Sequence, residues 1–185
     1  MSHIHPLAEV ASLHIGENTR IWQFAIVLKG AKIGKNCNIN CHTFIENDVI
    51  IGDHVTVKSG VYLWDGIRVE DCVFIGPNAT FSNDAFPRSK SRPVTFSRVI
   101  LKEGASLGAG CKIMAGITIG RYAMIGMGTL ITKDVPDFAL VYGTPAKIQG
   151  WVDEAGNKLE EVDKKLWRNR FGKYFIETEN GLEEK

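Results

Sequence analysis

An aliphatic or aromatic residue recurs at every sixth position from Ile15 to Phe81 without a gap: Ile15, Ile21, Val27, Ile33, Ile39, Ile45, Ile51, Val57, Leu63, Val69, Ile75 and Phe81. A helix repeats every 3.6 residues and a strand every 2, and neither period holds a six-residue count over so long a span. A hexad repeat instead winds the chain as a β-solenoid, each hexad forming one wall of a coil. Four residues after each large residue stands one that is small or β-branched: Thr19, Ala25, Ala31, Cys37, Thr43, Val49, Val55, Val61, Ile67, Val73, Ala79 and Ala85. One large and one small inward position per hexad fill a narrow prism whose short strands stack at about 4.8 Å per coil. With three such walls to a turn, residues 18 apart in the sequence become vertical neighbours.

A chain of 185 residues, 44% of them hydrophobic, holds one solenoid with a continuous core and a small appendage. The formal net charge of +1 gives no case for a nucleic-acid or bilayer partner. No apolar run approaches the length of a membrane span, and the opening MSHIHPLAEV lacks the basic head and apolar stretch of a signal peptide. The four cysteines, Cys37, Cys41, Cys72 and Cys111, form no CxxC pair, and two of them fall in small inward slots. They read as reduced core or wall residues of a cytoplasmic protein.

The register breaks once. The hexads resume at Leu101, Leu107, Ile113, Ile119, Ile125 and Ile131, so the step from Phe81 is 20 residues where 6 would continue the coil. Either about 14 residues leave the prism as a loop, or one coil carries two extra residues. The loop is favoured, because residues 85–98, AFPRSKSRPVTFSR, hold two prolines unfit for interior ladders and no hydrophobic residue in phase. Arg88, Lys90, Arg92 and Arg98 make it cationic, suited to meet phosphates.

Stacking at 18 residues locates a corner with chemistry. Lys29, Asn47, Asp65 and Asn83 form one column, flanked by Leu28, Glu46, Trp64 and Ser82 and by Gly30, Asp48, Gly66 and Asp84. The outward wall before it reads Ile26, Phe44, Tyr62, Thr80. A polar corner thus adjoins a partly aromatic wall where the cationic loop departs. That is a pocket for a sugar, or equally a wall that packs on a sister chain with carboxylates serving as turn residues. Elsewhere Gly108-Ala109-Gly110 stacks under Gly126-Met127-Gly128, and Met114-Ala115-Gly116 under Thr132-Lys133-Asp134. With so few side chains, backbone amides there lie open to a partner that carries amides of its own, such as a pantetheine arm, with Lys133 and Lys147 placed for its phosphorylated end.

The stretch KIMAGITIGRYAMIGMGTLITKDVPDFALVYGTPAKI resembles the hexapeptide-repeat acyltransferases. The segments FIENDV, VTVKSGVYLWDGI, DCVFIGPNATFSNDAFPRSK and GASLGAG are similar to those of bacterial N-acetyltransferases acting on nucleotide-linked 3-amino sugars, most of all the dTDP-3-amino-3,6-dideoxyhexose 3-N-acetyltransferases. The likeness runs from about Ile15 to Ile148. It implies an all-β, left-handed parallel β-helix, a homotrimer with active sites between subunits, acetyl-CoA as cosubstrate and no metal. Residue by residue, it implies Asn83, Asp84 and Arg88 at the sugar nucleotide, with Trp64 and Asp65 from the WDG segment, and Ala109, Met127 and Lys133 at CoA, Met127 by its backbone alone since the commoner pattern has alanine. The stacked columns add Glu46 and Tyr62 to the sugar nucleotide and Lys147 to CoA, and Asn83 and Asp84 are the candidate catalytic residues. Relatives acting on a UDP-linked 3-amino uronic acid lack the aspartate after the asparagine, so Asn83-Asp84 favours the dTDP sugar.

Many hexapeptide acetyltransferases use a histidine base, yet no histidine follows His54. His42 and His54, 12 apart, fall on different corners, and a γ-type carbonic anhydrase would need three converging imidazoles; His42 stays open as an alternative base, since its turn leads into the wall carrying Phe44 and Glu46. His3, His5 and His14 lie at the start of the chain. No serine or cysteine shows a partner base for covalent catalysis. The expected reaction is direct attack of the 3-amino group on the thioester, with Asn83 orienting the amine and a carboxylate such as Asp84 or Asp65, or the sulfur, taking the proton. Alternatives from the same residues are transfer to a UDP-linked 3-amino uronic acid and, in another class, a non-catalytic nucleotide-sugar-binding solenoid.

The domain reading is 1–148 for the β-helix, with its loop at about 85–98, and 149–185 for a C-terminal cap of β-hairpins. Residues 1–14 are expected to cover the lower coil. GWVDEAGNKL reads as a hairpin around Gly156-Asn157 and LWRNRFGKYFIET as another around Phe171-Gly172, against a competing helix over 158–169; ENGLEEK is expected to fray.

Overall fold

The computed structural model describes residues 1–91, 93–179 and 181–185, and among them every regular element is a strand. Strands two residues long recur at the hexads and join every third neighbour, which makes the three-walled prism. The first wall stacks eight parallel strands from His3–Ile4 to Ala139–Tyr142 and closes with antiparallel Lys147–Trp151. The third wall runs unbroken from His14–Ile15 to Thr118–Ile119. The second is divided: four strands from Glu9–Val10 to Tyr62–Leu63 form one sheet, and Thr80–Phe81, Lys112–Ile113 and Leu130–Ile131 another.

Register follows the predicted spacing. Thr56 pairs with Phe74 and Phe44 with Tyr62, 18 apart. Across the insertion the offset becomes 32, as in Arg68 with Ile100 and Thr80 with Lys112, and above it returns to 18, as in Ile100 with Thr118, so 14 residues leave the coil and the prism continues beneath them unchanged. The excursion occupies Asp84–Ser97, its base closed by the Ser97 N–H donating to the Asn83 carbonyl at 3.0 Å. Val99, fully buried, fills the small inward slot that the hexad count gave to Ala85, which is exposed on the loop instead. Arg92, counted among the loop cations, lies outside the described residues.

The core is the prism interior. Ile39, Ile45, Leu63, Ile75, Leu101, Leu107 and Ile119 are fully buried in it, each contributing about 1.5–3 kcal/mol relative to exposure. Residues 1–14 are not a separate cover: His3–Ile4 and Glu9–Val10 pair with Arg20–Ile21 and Ile26–Val27 at an offset of 17, so they are the lowest coil itself, one residue short. At the top, the antiparallel strands Glu160–Asp163, Leu166–Arg168, Tyr174–Thr178 and Gly181–Glu184 form a second small sheet. Both expected hairpins are present, around Asp153–Asn157 and Asn169–Lys173, and the helix over 158–169 is not. The final residues are not frayed, because the Leu182 N–H reaches the Asp137 carbonyl and Leu182 is buried. Trp151 and Trp167 both donate their indole N–H to Glu177, at 3.2 and 3.1 Å, which ties the cap together.

Cys37 and Cys111 are buried in their small slots, Cys41 is half-buried, and Cys72 departs from the core-or-wall reading by standing exposed on a corner; all four are free. Burial pushes the Cys111 thiol from 9.0 up to about 11. The folded state therefore keeps a proton that the unfolded chain gives up, and its stabilisation is complete below pH 9.0 and is lost as pH climbs toward about 11. Chemical denaturation between these limits is expected to show a decline on the order of 2 kcal/mol that Cys111→Ala removes; an equal decline in the variant would show that the thiol does not carry it.

Candidate active site

The corner between the second and third walls carries the polar column and the loop. Its turns are stitched vertically by their own side chains. Asn47 Oδ1 accepts the Gly30 N–H at 3.0 Å, Asp65 Oδ1 the Asp48 N–H at 2.6 Å, and Glu46 Oε2 the Asp65 N–H at 2.7 Å. Asn83 reverses the direction, its Nδ2 donating to the Asp65 carbonyl at 3.0 Å. That leaves Oδ1 as the end of the amide able to accept from a ligand. Asp84 begins the loop, with Oδ1 taking the Phe86 N–H at 2.8 Å and its carbonyl taking the Ser82 hydroxyl at 2.8 Å.

Beside this corner the second wall opens. Between Tyr62–Leu63 and Thr80–Phe81 the strand ladder is interrupted, and the Trp64 indole N–H donates to the Phe81 carbonyl at 3.0 Å across the gap. A cleft of about 400 Å³ lies there, lined by Gly60, Tyr62, Trp64, Asn78, Ala79, Thr80 and Phe81. Phe44, Tyr62 and Trp64 form an aromatic cluster with ring centroids 5.8–6.4 Å apart. Tyr62 is half exposed, so one flat apolar surface is available to a ring-shaped ligand.

Because the insertion shifts the count, Asn83 stacks under Ala115 and then Lys133: Thr80, Lys112 and Leu130 are consecutive partners. Lys133 therefore belongs to the loop corner, two coils above Asn83. It lines a depression of about 300 Å³ with Thr132, Asp134, Pro136, Pro145, Ala146 and Ile148. Lys147 is exposed on the strand that continues from this depression.

Ala109 and Met127 lie at the opposite end of the second wall, on the corner that precedes it. There Gly128 donates to the Ala109 carbonyl and Gly110 to the Pro77 carbonyl, both at 2.9 Å. Among the described residues no side chain caps the Ala109 or Met127 N–H, and Met127 is 80% exposed. A Cβ at Gly108 would come within 2.6 Å of the Met127 nitrogen, so this glycine permits the coils to stack. Gly110 and Gly128 differ: their positive φ is shared by Phe24, His42 and Asn78 lower in the column, and a Cβ on either would meet nothing within 4 Å. They keep the corner bare. Arg88 stays out on the loop, exposed, with Nη1 on the Pro87 carbonyl.

Glu46, Tyr62, Trp64, Asp65, Asn83, Asp84 and Lys133 are thus gathered on one corner and its adjoining wall, whereas Ala109 and Met127 are separated from them by the width of that wall and Arg88 by its loop. Residue counting missed Lys112, outward on the wall between the two groups, and Asn78 in the cleft. His42 and His54 fall on different corners, His42 stacked on Phe24 at 5.2 Å. Among the described residues no group of three or more His, Cys, Asp or Glu is placed to hold a metal ion, and no helix is long and apolar enough to cross a membrane.

Comparison with known proteins agrees with this architecture. Residues 12–47 and 98–133 match the model of the bacterial transferase hexapeptide (six repeats). The chain is 56% identical over 160 residues, 86% of its length and 83% of the relative's, to the dTDP-3-amino-3,6-dideoxy-alpha-D-galactopyranose 3-N-acetyltransferase of Aneurinibacillus thermoaerophilus. Its fold is shared with a hexapeptide-repeat acetyltransferase of Vibrio cholerae solved with acetyl coenzyme A, at TM-score 0.55, 23% identity and coverage of 76% and 71% of the two chains. A UDP-N-acetylglucosamine acyltransferase of Bacteroides fragilis superposes at TM-score 0.67 with 19% identity, covering 81% and 61%. A hexad solenoid with a bare glycine corner and a loop-flanked cleft, matched along most of its length by an acetyltransferase of the same architecture, belongs to the left-handed β-helical hexapeptide-repeat acetyltransferases.

Proposed function

We propose that this enzyme transfers the acetyl group of acetyl-CoA to the 3-amino group of a dTDP-linked 3-amino-3,6-dideoxyhexose, with the galacto configuration at C4. The observation that carries this reading is the 56% identity to the Aneurinibacillus thermoaerophilus enzyme, extending over 86% of the chain. The Asn83-Asp84 pair at the mouth of the loop supports it further. The proposal includes a homotrimer with its sites between subunits, supported by the exposed apolar side chains Tyr62, Met114 and Met127 along one wall and its corners. It includes a cytoplasmic role in making surface-polysaccharide sugars, with which four free cysteines agree.

In this mechanism the pantetheine arm runs between subunits, along the bare corner of one, where the open N–H groups of Ala109 and Met127 suit its amides, and against the loop corner of the next, where the amine is held. Lys133 and Lys147 face the phosphorylated end. The sugar nucleotide takes the cleft, its rings against Tyr62 and Trp64. Asn83 Oδ1 accepts a hydrogen bond from the amine and turns the nitrogen lone pair toward the thioester carbonyl. Enclosure disfavours the charged ammonium, so the amine is nucleophilic without a strong base. A C–N bond forms as the C–S bond breaks, a backbone N–H steadies the oxyanion, and the amine proton passes to the departing thiolate or to Asp84. Glu46 and Asp65 hold the corner in shape through the backbone N–H groups they accept.

Thiol release from acetyl-CoA is expected with the dTDP-3-amino-3,6-dideoxygalactose acceptor, and at least about a hundredfold less efficiently, a difference of about 2.7 kcal/mol, with a UDP-linked 3-amino uronic acid. Tight nucleotide binding without release from any 3-amino sugar would mean a sensor rather than an enzyme. Asn83→Ala is expected to lower kcat about a hundredfold, Asp84→Ala by a smaller factor, and His42→Ala to leave it within about twofold. Unchanged rates in the first two with loss of activity in His42→Ala would overturn direct transfer.

A further inference from the structure

Lys112 stands outward in the second wall, one coil above Thr80 and one below Leu130. It is exposed and makes no salt bridge among the described residues. The register supplies its neighbours: Asn78, Thr80 and Ser82 in the coil beneath, Gly128, Leu130 and Thr132 in the coil above. None carries a charge, and the flanking positions along the chain, Gly110 and Met114, carry none either. Two other cations of the prism are paired with carboxylates. Arg68, outward in the third wall, holds Asp48 at 2.6 Å, and Arg121 holds Asp137 at 2.8 Å.

What sets Lys112 apart from other cations unpaired among the described residues, such as Arg20 and Lys32, is its place. Asn78, Thr80 and Phe81, which form the upper lining of the 400 Å³ cleft, are the rung immediately below it. Gly110, at the bare corner, is two residues before it in the chain. A flexible four-carbon stem carrying an ammonium point charge suits a phosphate oxygen at either edge of the wall.

We infer that Lys112 binds the diphosphate of a substrate. The inference rests on the proposed function, in which both the sugar nucleotide and CoA carry that group. The cleft and the bare corner meet at this residue, so one chemistry has two sources, and binding tells them apart. Titration calorimetry with dTDP, CoA and thymidine requires no turnover. Lys112→Gln is expected to weaken dTDP or CoA about tenfold, the weakened ligand naming the source, while thymidine, which lacks the diphosphate, binds as before. Lys112→Arg is expected to recover most of the loss. Unchanged affinity for both dTDP and CoA in Lys112→Gln overturns the assignment, and so does an equal loss for thymidine, which would mean a distorted cleft. Wild-type protein that binds none of the three would instead sink the proposed function and this inference with it.

Discussion

The vertical order of the prism is set by the parallel ladder, in which a backbone N–H meets a carbonyl one coil away and fixes which side chains share a column. Two-residue strands give each coil few such bonds, so a coil is stable only because its neighbours hold it from both sides. The interior repeats one large and one small side chain per hexad, and the outer face is left free to vary. The 14-residue insertion tests the tolerance of this plan. It leaves from a corner, is closed at its base by Ser97 on Asn83, and returns the chain to the same track. Just below it the second wall is opened, and there an indole N–H meets a strand carbonyl in place of the strand ladder.

The three corners share one backbone and have three chemistries. Between the third and first walls, carboxylates cap the turn of the coil beneath: Asp53 takes the Lys35 N–H, Asp71 that of Asp53, and Asp137 that of Arg121. The loop corner is capped in the same manner up to Asp65, after which Asn83 donates to a carbonyl instead. Among the described residues the glycine corner has no side-chain caps at Ala109 or Met127. The proposed site lies where the side-chain capping changes or stops, since an amide or carboxylate already spent on the fold has less to offer a ligand.

The prism was legible because a period of six has no rival reading, and the insertion because Pro87 and Pro93 fit no interior ladder. Columns below Phe81 were also legible by simple addition of 18. For columns that cross the insertion the same addition fails by 14, which hid the alignment of Asn83 with Lys133 and the place of Lys112 beside the cleft. The cleft itself could not be read from spacing, since nothing in the hexads between Tyr62 and Phe81 signals a broken ladder. The cap was partly legible from its turn residues; the strand at 181–184 was not, because its burial depends on contact with Asp137 at the top of the prism.

Joining this architecture to direct transfer requires the amine of the acceptor to rest on Asn83. A crystal structure of the enzyme with CoA and the dTDP-linked 3-amino sugar measures that contact. The account predicts the 3-amino nitrogen about 3 Å from Asn83 Oδ1, the sugar beside Tyr62 and Trp64, and the thiol end of CoA approaching the same nitrogen. An amine bonded to His42, or a sugar bound away from the loop corner, would contradict it.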